Sequence, residues 1–170
     1  VRGVEEAVNS RTKIVFINSP NNPTGNPVGE EQVRALLETG LIVAVDEAYY
    51  EFSGETAAGL LTEYENLVVL RTFSKWAALA GLRVGYGFMS PGLVSRIISI
   101  KSPYNVNSAA EAAALASLED ADLLMDRVRL VVQERERVFS QLESMPGIRP
   151  LPSGGNYILC EFAPGRASVV

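Results

Sequence analysis

In the first half of the chain, short β-branched apolar runs alternate with helix-like stretches, and this alternation constrains the fold more than any other feature. Residues 13–18 (Lys-Ile-Val-Phe-Ile-Asn) read as a buried strand, ended by the turn-rich segment 19–29. Residues 30–39 carry Val33, Leu36 and Leu37 at helical spacing, with Gly40 as the expected C-cap. Residues 41–45 and 67–70 read as two further buried strands, and 83–89 as a fourth, less uniform one containing Gly85 and Gly87. Strands that are apolar throughout leave no side for water. The pattern therefore predicts an α/β fold: a mostly parallel sheet with helices on both faces.

The second half changes character. Residues 91–100 suit a short helix with Pro91 near its start. The Ala-rich stretch 107–118 suits another, with Asn107 or Ser108 as N-cap. Residues 122–144 place Leu124, Val128, Val131, Val138 and Leu142 at helical spacing, with Glu and Arg opposite. That is a long amphipathic helix with a solvated charged face, stopped by Pro146-Gly147. Residues 148–151 and 157–162 read as two strands. The expected organisation is a large domain over 1–119, followed over 120–170 by a connecting helix and the first part of a smaller α/β domain. No internal repeat or low-complexity tract is visible.

Absences remove whole classes of chemistry. The chain has no histidine, which excludes Ser-His-Asp triads, Cys-His pairs and most zinc sites, so no metal is expected. The one cysteine, Cys160, cannot form an internal disulfide. It lies in the apolar run Tyr157-Ile158-Leu159-Cys160, where a buried, inert strand thiol is expected. This usage suits a reducing cytoplasm. Fifteen basic and twenty acidic residues give a net charge of −5 without a basic stripe, which argues against a nucleic-acid partner. No apolar run approaches the roughly 20 residues that span a bilayer, so no membrane partner is expected. The chain opens Val1-Arg2-Gly3, without Met or a signal-peptide core, and reads as a fragment of a longer protein.

Several chemical groups fall just beyond the predicted strands, where open α/β sheets bind their ligands. Lys75 stands in Thr72-Phe73-Ser74-Lys75, flanked by Phe73, Trp76, Ala77 and Ala78. A lysine amine in such partly apolar surroundings can condense with an aldehyde and later shuttle a proton. Asp46 follows an apolar run, a costly place for a carboxylate without a positive partner. A protonated pyridine nitrogen is such a partner; a cap on a nearby helix is the alternative. Tyr49, three residues on, and Asn22 in Asn21-Asn22-Pro23-Thr24-Gly25 can both reach a ring oxygen, although the latter motif alone is an ordinary turn signal. Thr72, Ser74 and Arg83 offer two hydroxyls and a guanidinium to a phosphate. Together these are the groups needed to hold and use pyridoxal 5'-phosphate (PLP).

The order and spacing of these residues resemble the fold-type I PLP-dependent aminotransferases of class I/II. Their lysine signature, Ser/Thr-x-Ser-Lys followed after five residues by Gly-x-Arg-x-Gly, is matched at every fixed position between Thr72 and Gly85. The segments 19–25 (Ser-Pro-Asn-Asn-Pro-Thr-Gly), 45–49 (Val-Asp-Glu-Ala-Tyr) and 80–87 (Ala-Gly-Leu-Arg-Val-Gly-Tyr-Gly) are most similar to the histidinol-phosphate branch. Segments 102–107 and 155–159 continue the likeness, so it covers essentially the whole chain. The resemblance implies that Lys75 is the Schiff-base lysine and Asp46 the nitrogen partner. Asn22 and Tyr49 would contact the ring oxygen, and Thr72, Ser74 and Arg83 the phosphate.

The same resemblance implies a homodimer with active sites at the subunit interface. It also implies reversible amino transfer between L-histidinol phosphate and 2-oxoglutarate, giving imidazole acetol phosphate and L-glutamate in histidine biosynthesis. Family members are longer at both ends. The glycine turn and stacking aromatic expected upstream, and the substrate-gripping arginine expected downstream, have no match here; Arg166 does not fit that arginine's motif. Three other readings remain open on the sequence: an aromatic aminotransferase or threonine-phosphate decarboxylase with the same cofactor frame, a PLP-sensing domain of a transcription regulator, and a fragment that packs without cofactor.

Overall fold

A computed structural model describes residues 2–163. Its first 90 or so residues form a four-stranded sheet in the order β1-β2-β3-β4, comprising Ile14–Asn18, Ile42–Asp46, Leu67–Thr72 and Gly85–Met89. The first three strands run parallel and β4 runs antiparallel to β3. The reversal follows from the connection. Residues 73–84 form a loop with one 3₁₀ turn at Ala80–Leu82, whereas a parallel return needs a crossover segment such as a helix. The first sheet connection has its helix in α2 (Glu30–Leu37), after the short α1 (Arg2–Ala7). The second runs through α3 (Tyr50–Ser53) and a 3₁₀ turn at Ala58–Thr62.

The apolar face of α2 packs on β2 as its spacing requires. Val33, Leu36 and Leu37 are buried with Val43, Val45, Ala57, Leu60, Leu67 and Val69 in one core. Each buried Val or Leu among them contributes roughly 1.5–3 kcal/mol. The helix ends earlier than its periodicity suggests: Glu38 is the C-cap, and Gly40, at φ +77°, turns the chain two residues later. The opposite sheet face carries Ile14 and Phe16, and Phe16 remains 68% exposed.

Three helices follow: α4 (Pro91–Ile100), α5 (Ser108–Glu119) and α6 (Ala121–Glu143). Pro91 lies in the first turn of α4. Asn107 caps α5, its side chain accepting the Ala110 N–H at 2.9 Å. Val128 of α6 and Ala110 of α5 are buried in a second core with Tyr49, Phe52, Phe73, Trp76, Ala77 and Val84. This core supports the loops beyond the strand ends.

The charged face of α6 is solvated except at Arg135, which donates to the Gly155 carbonyl at 2.8 Å and so ties the following loop down. Strands β5 (Ile148–Pro150) and β6 (Cys160–Phe162) pair antiparallel as a separate small sheet. The second strand is shorter than expected because residues 154–157 form a bend. Cys160 is a free, half-buried thiol in β6, more open than its apolar run suggests, because the short β5–β6 sheet covers it only in part. Arg166 lies outside the described residues. Among those residues no helix is long and apolar enough to cross a membrane.

Candidate active site

The three parallel strands deliver their C-terminal ends to one edge. Asn18 pairs with Asp46, and Asp46 with Leu70, so the loop after β1, Asp46 and the segment from Thr72 emerge side by side. The loop is closed on itself, with the Asn21 N–H on the Asn26 carbonyl at 2.9 Å and the Val28 N–H on Ser19 Oγ at 2.9 Å. This fold holds Asn22 against the entrance of α3, where its Nδ2 donates to the Tyr49 hydroxyl at 2.8 Å. Because that oxygen accepts, the phenolic hydrogen of Tyr49 remains available to a further acceptor.

Tyr49 is the hub. It is only 6% exposed, and its ring meets Tyr157 edge-on at 5.2 Å and 80°. Lys75 Nζ lies 5.5 Å from the same ring's centroid. Asn22, Tyr49 and Lys75 are thus brought into one contact series. Asp46 is half-buried, and its Oδ1 accepts the Ala48 N–H at 3.0 Å, a turn contact that uses one of its two oxygens. Lys75 is itself exposed. Its neighbours Phe73, Trp76 and Ala77 are buried and anchor the segment.

The hydroxyls form a second group. Thr72 Oγ1 lies 2.8 Å from Ser74 Oγ and accepts the Ser74 N–H at 3.0 Å. Arg83 adjoins them through the backbone: Thr72 Oγ1 reaches the Val84 carbonyl at 3.3 Å, and the Phe73 N–H donates to it at 3.2 Å. The Arg83 guanidinium turns back on its own loop, donating to the Ala80 carbonyl at 2.8 Å. Arg83 and Ala78 both hold positive φ, 55° and 56°, in the segment that follows Lys75. Backbone strain of this kind tends to gather at functional sites.

Two contacts lie beyond the reach of the sequence, and a third feature, Glu47, is expected to point away from Asp46 and given no role. Tyr157 donates its hydroxyl to the Asn21 carbonyl at 2.6 Å from 136 positions away. Burial, and secondarily the neighbouring Tyr49, raise its pKa above the ordinary tyrosine value. Gly25, at φ +80°, meets Ser153 so closely that a Cβ would stand 2.6 Å from Ser153 Oγ. Glu47 points away from the edge and is 1% exposed, ion-paired to Arg71 at 2.9 Å. No local signal could have found the first two contacts. The third had one, since Glu47 directly follows the apolar strand that Asp46 ends.

The model of the family "Aminotransferase class I and II" matches residues 1–167. A histidinol-phosphate aminotransferase of Dehalococcoides mccartyi is 42% identical over 170 residues, covering all of this chain and 48% of that protein. The crystal structure of the histidinol-phosphate aminotransferase from Clostridium acetobutylicum superposes with a TM-score of 0.83 at 28% identity, over 96% of this chain and 50% of that one. The Sinorhizobium meliloti histidinol-phosphate aminotransferase, solved in complex with pyridoxal-5'-phosphate, superposes with a TM-score of 0.77 at 29% identity, over 86% and 41%. The chain spans about half the length of the curated relatives it matches.

Proposed function

The chain belongs to the class I and II aminotransferases, and from that premise we propose that it forms the cofactor-holding half of a PLP-dependent histidinol-phosphate aminotransferase. The reaction is amino transfer between L-histidinol phosphate and 2-oxoglutarate. The donor set fits the cofactor: one exposed amine, one half-buried carboxylate, a phenol with a free hydrogen, and a hydroxyl pair at one sheet edge. The carrying observation is the arrangement around Tyr49, which links Asn22 and Lys75 three residues beyond Asp46.

When bound, PLP supplies an electron sink for cleavage at the substrate α-carbon. With the cofactor bound, Lys75 would hold its aldehyde group, and the same amine would be the group available to carry the substrate α-proton. Asp46, whose second oxygen Ala48 leaves free, would hold the ring nitrogen and favour its charged form. Tyr49 would offer its free hydrogen to the ring oxygen, with Asn22 fixing the phenol's orientation. Ser74 and Thr72 would offer hydroxyls to the phosphate, and Arg83 would add a cation if it exchanged its Ala80 contact for one to the phosphate.

The same reading divides the chain near residue 120, with α6 leading into the β5–β6 unit, and takes the full-length protein to be a cytoplasmic homodimer. Its test is borohydride reduction of the full-length protein with PLP, followed by peptide mapping. The pyridoxyl group is expected on Lys75; finding it on Lys13 or Lys101 would overturn the assignment.

A further inference from the structure

Behind the sheet edge lies a largely buried ion pair, bridged by the exposed Thr56, that the proposed chemistry does not use. Glu47 follows Asp46 but points to the other side, where it is 1% exposed. Its carboxylate accepts the Ala57 N–H at 2.6 Å, the Thr56 hydroxyl at 2.8 and 2.9 Å, and Arg71 Nε at 3.0 Å. Arg71 precedes Thr72, and its Nη2 also donates to Thr56 Oγ1 at 2.8 Å. The guanidinium carbon lies over the Tyr50 ring, 3.5 Å from its centroid. The main chain adds a further tie, the Glu47 N–H on the Leu70 carbonyl at 2.8 Å.

A buried ion pair is weak as a source of stability, since desolvating two charges offsets much of their attraction. What this pair does have is placement. Each member lies one residue from a group on the site edge, Glu47 from Asp46 and Arg71 from Thr72, and the two cross between neighbouring strands β2 and β3. We propose that Glu47 and Arg71 are positioning residues, a clamp on the far side of the sheet that fixes the spacing between the Asp46 carboxylate and the Thr72–Ser74 hydroxyls. Neither touches the site edge. Two guanidinium nitrogens, Nε at 3.0 Å and Nη2 at 2.9 Å, converge on Glu47 Oε2, and with the Thr56 bridge they restrict the arrangement of the two strand ends more than a single-point contact would.

The inference rests on the cofactor reading, and its test keeps the two separable. In the full-length protein, three quantities are compared: the melting temperature without PLP, the PLP dissociation constant, and the pH titration of the bound PLP absorption band. The variants are Glu47→Gln, Arg71→Lys and the double variant Glu47→Gln/Arg71→Met. Glu47→Gln strands a buried charge and should melt lower, whereas the double variant should recover most of that loss. A clamp predicts that the double variant, although stable, keeps a band displaced by about one pH unit and binds PLP about tenfold more weakly. Arg71→Lys keeps the charge and loses the fork, so it should shift the band in the same direction by less. If the double variant and Arg71→Lys both titrate and bind as wild type, the pair is structural and the inference fails. A wild-type protein without a PLP band would instead overturn the cofactor reading, and the clamp with it.

Discussion

Tyr157 donates its phenolic hydrogen to the main-chain carbonyl of Asn21 across 2.6 Å. The same ring supports Tyr49 edge-on, so one residue beyond α6 holds both neighbours of the Asn22–Tyr49 hydrogen bond. Tyr157→Phe keeps the ring contact and removes the hydrogen bond, leaving the carbonyl to find another donor. Stability should fall by about 1 kcal/mol. PLP binding should weaken only slightly, while Tyr157→Ala should weaken it several-fold further by freeing Tyr49. Urea midpoints and PLP titrations of the two variants check this, and equal binding in both would remove Tyr157 from the support of the site.

Glu51 gives a pH dependence with a definite sign. Its Oε2 is buried without a hydrogen-bond partner, and burial, aided by the charge of Glu47, pushes the carboxyl up to about 7 against the pull of its own backbone N–H and Arg71. The folded state therefore keeps a proton that the unfolded chain releases near its ordinary value of 4.5. Stability from this group is full below about 4.5, declines as pH rises toward about 7, and is flat above. Glu51→Gln should remove that slope. Above about pH 7 it should gain on the order of 1 kcal/mol, less than the full displacement implies because the group keeps partial solvent contact. Denaturation midpoints across that range decide the matter; a slope that survives the substitution assigns it elsewhere.

The legible and illegible parts of this structure divide by sequence distance. The strands could be read because Ile14 to Ile17, Ile42 to Val45 and Leu67 to Leu70 are apolar without interruption, and the later helices because Pro91, Asn107 and Pro146-Gly147 punctuate them. Most residues of the candidate site were visible because they sit at or shortly beyond the end of such a strand; Arg83 instead lies just before β4. Cross-chain contacts were not. Nothing local to Tyr157 distinguishes a strand residue from one docked on Asn21, and nothing in the Glu/Arg pattern of α6 marks Arg135 as the residue that reaches Gly155. Arg83 was legible as a cation near the hydroxyls, but its hydrogen bond to Ala80 depends on a left-handed backbone that its sequence does not announce.

Two glycines separate crowding from backbone strain. Gly25 and Gly54 both hold positive φ, 80° and 75°, but a Cβ at Gly54 meets nothing within 4 Å while one at Gly25 meets Ser153 main chain at 2.7 Å. Gly54→Ala should cost only the left-handed penalty, about 1–2 kcal/mol. Gly25→Ala should cost a further 1–3 kcal/mol or so, because the Ser153 backbone cannot yield as a flexible side chain would. It should also loosen the contact between the loop after β1 and residues 152–157. Melting temperatures of the two variants measure the difference, and equal losses would mean that the Ser153 approach is readily relaxed.

Asp46 and Arg83 should fail in different ways. Asp46→Asn keeps the volume and can still accept the Ala48 N–H, but it removes the anion that would hold a ring nitrogen protonated. Turnover of the full-length protein should then fall about 100-fold or more, roughly 2.7 kcal/mol of barrier, with little change in melting temperature. Arg83→Ala removes a cation that reaches the site only by leaving Ala80, so it should weaken PLP binding first, and excess PLP should partly restore turnover. Its backbone adds a second signature. Arg83→Gly relieves the positive φ as well as removing the cation, so it should bind PLP as weakly as Arg83→Ala while folding more stably. The discriminating measurement is turnover at saturating PLP alongside melting temperature. If Asp46→Asn retains near-normal turnover, its carboxylate is a turn-forming group and the electrostatic role assigned to it is wrong.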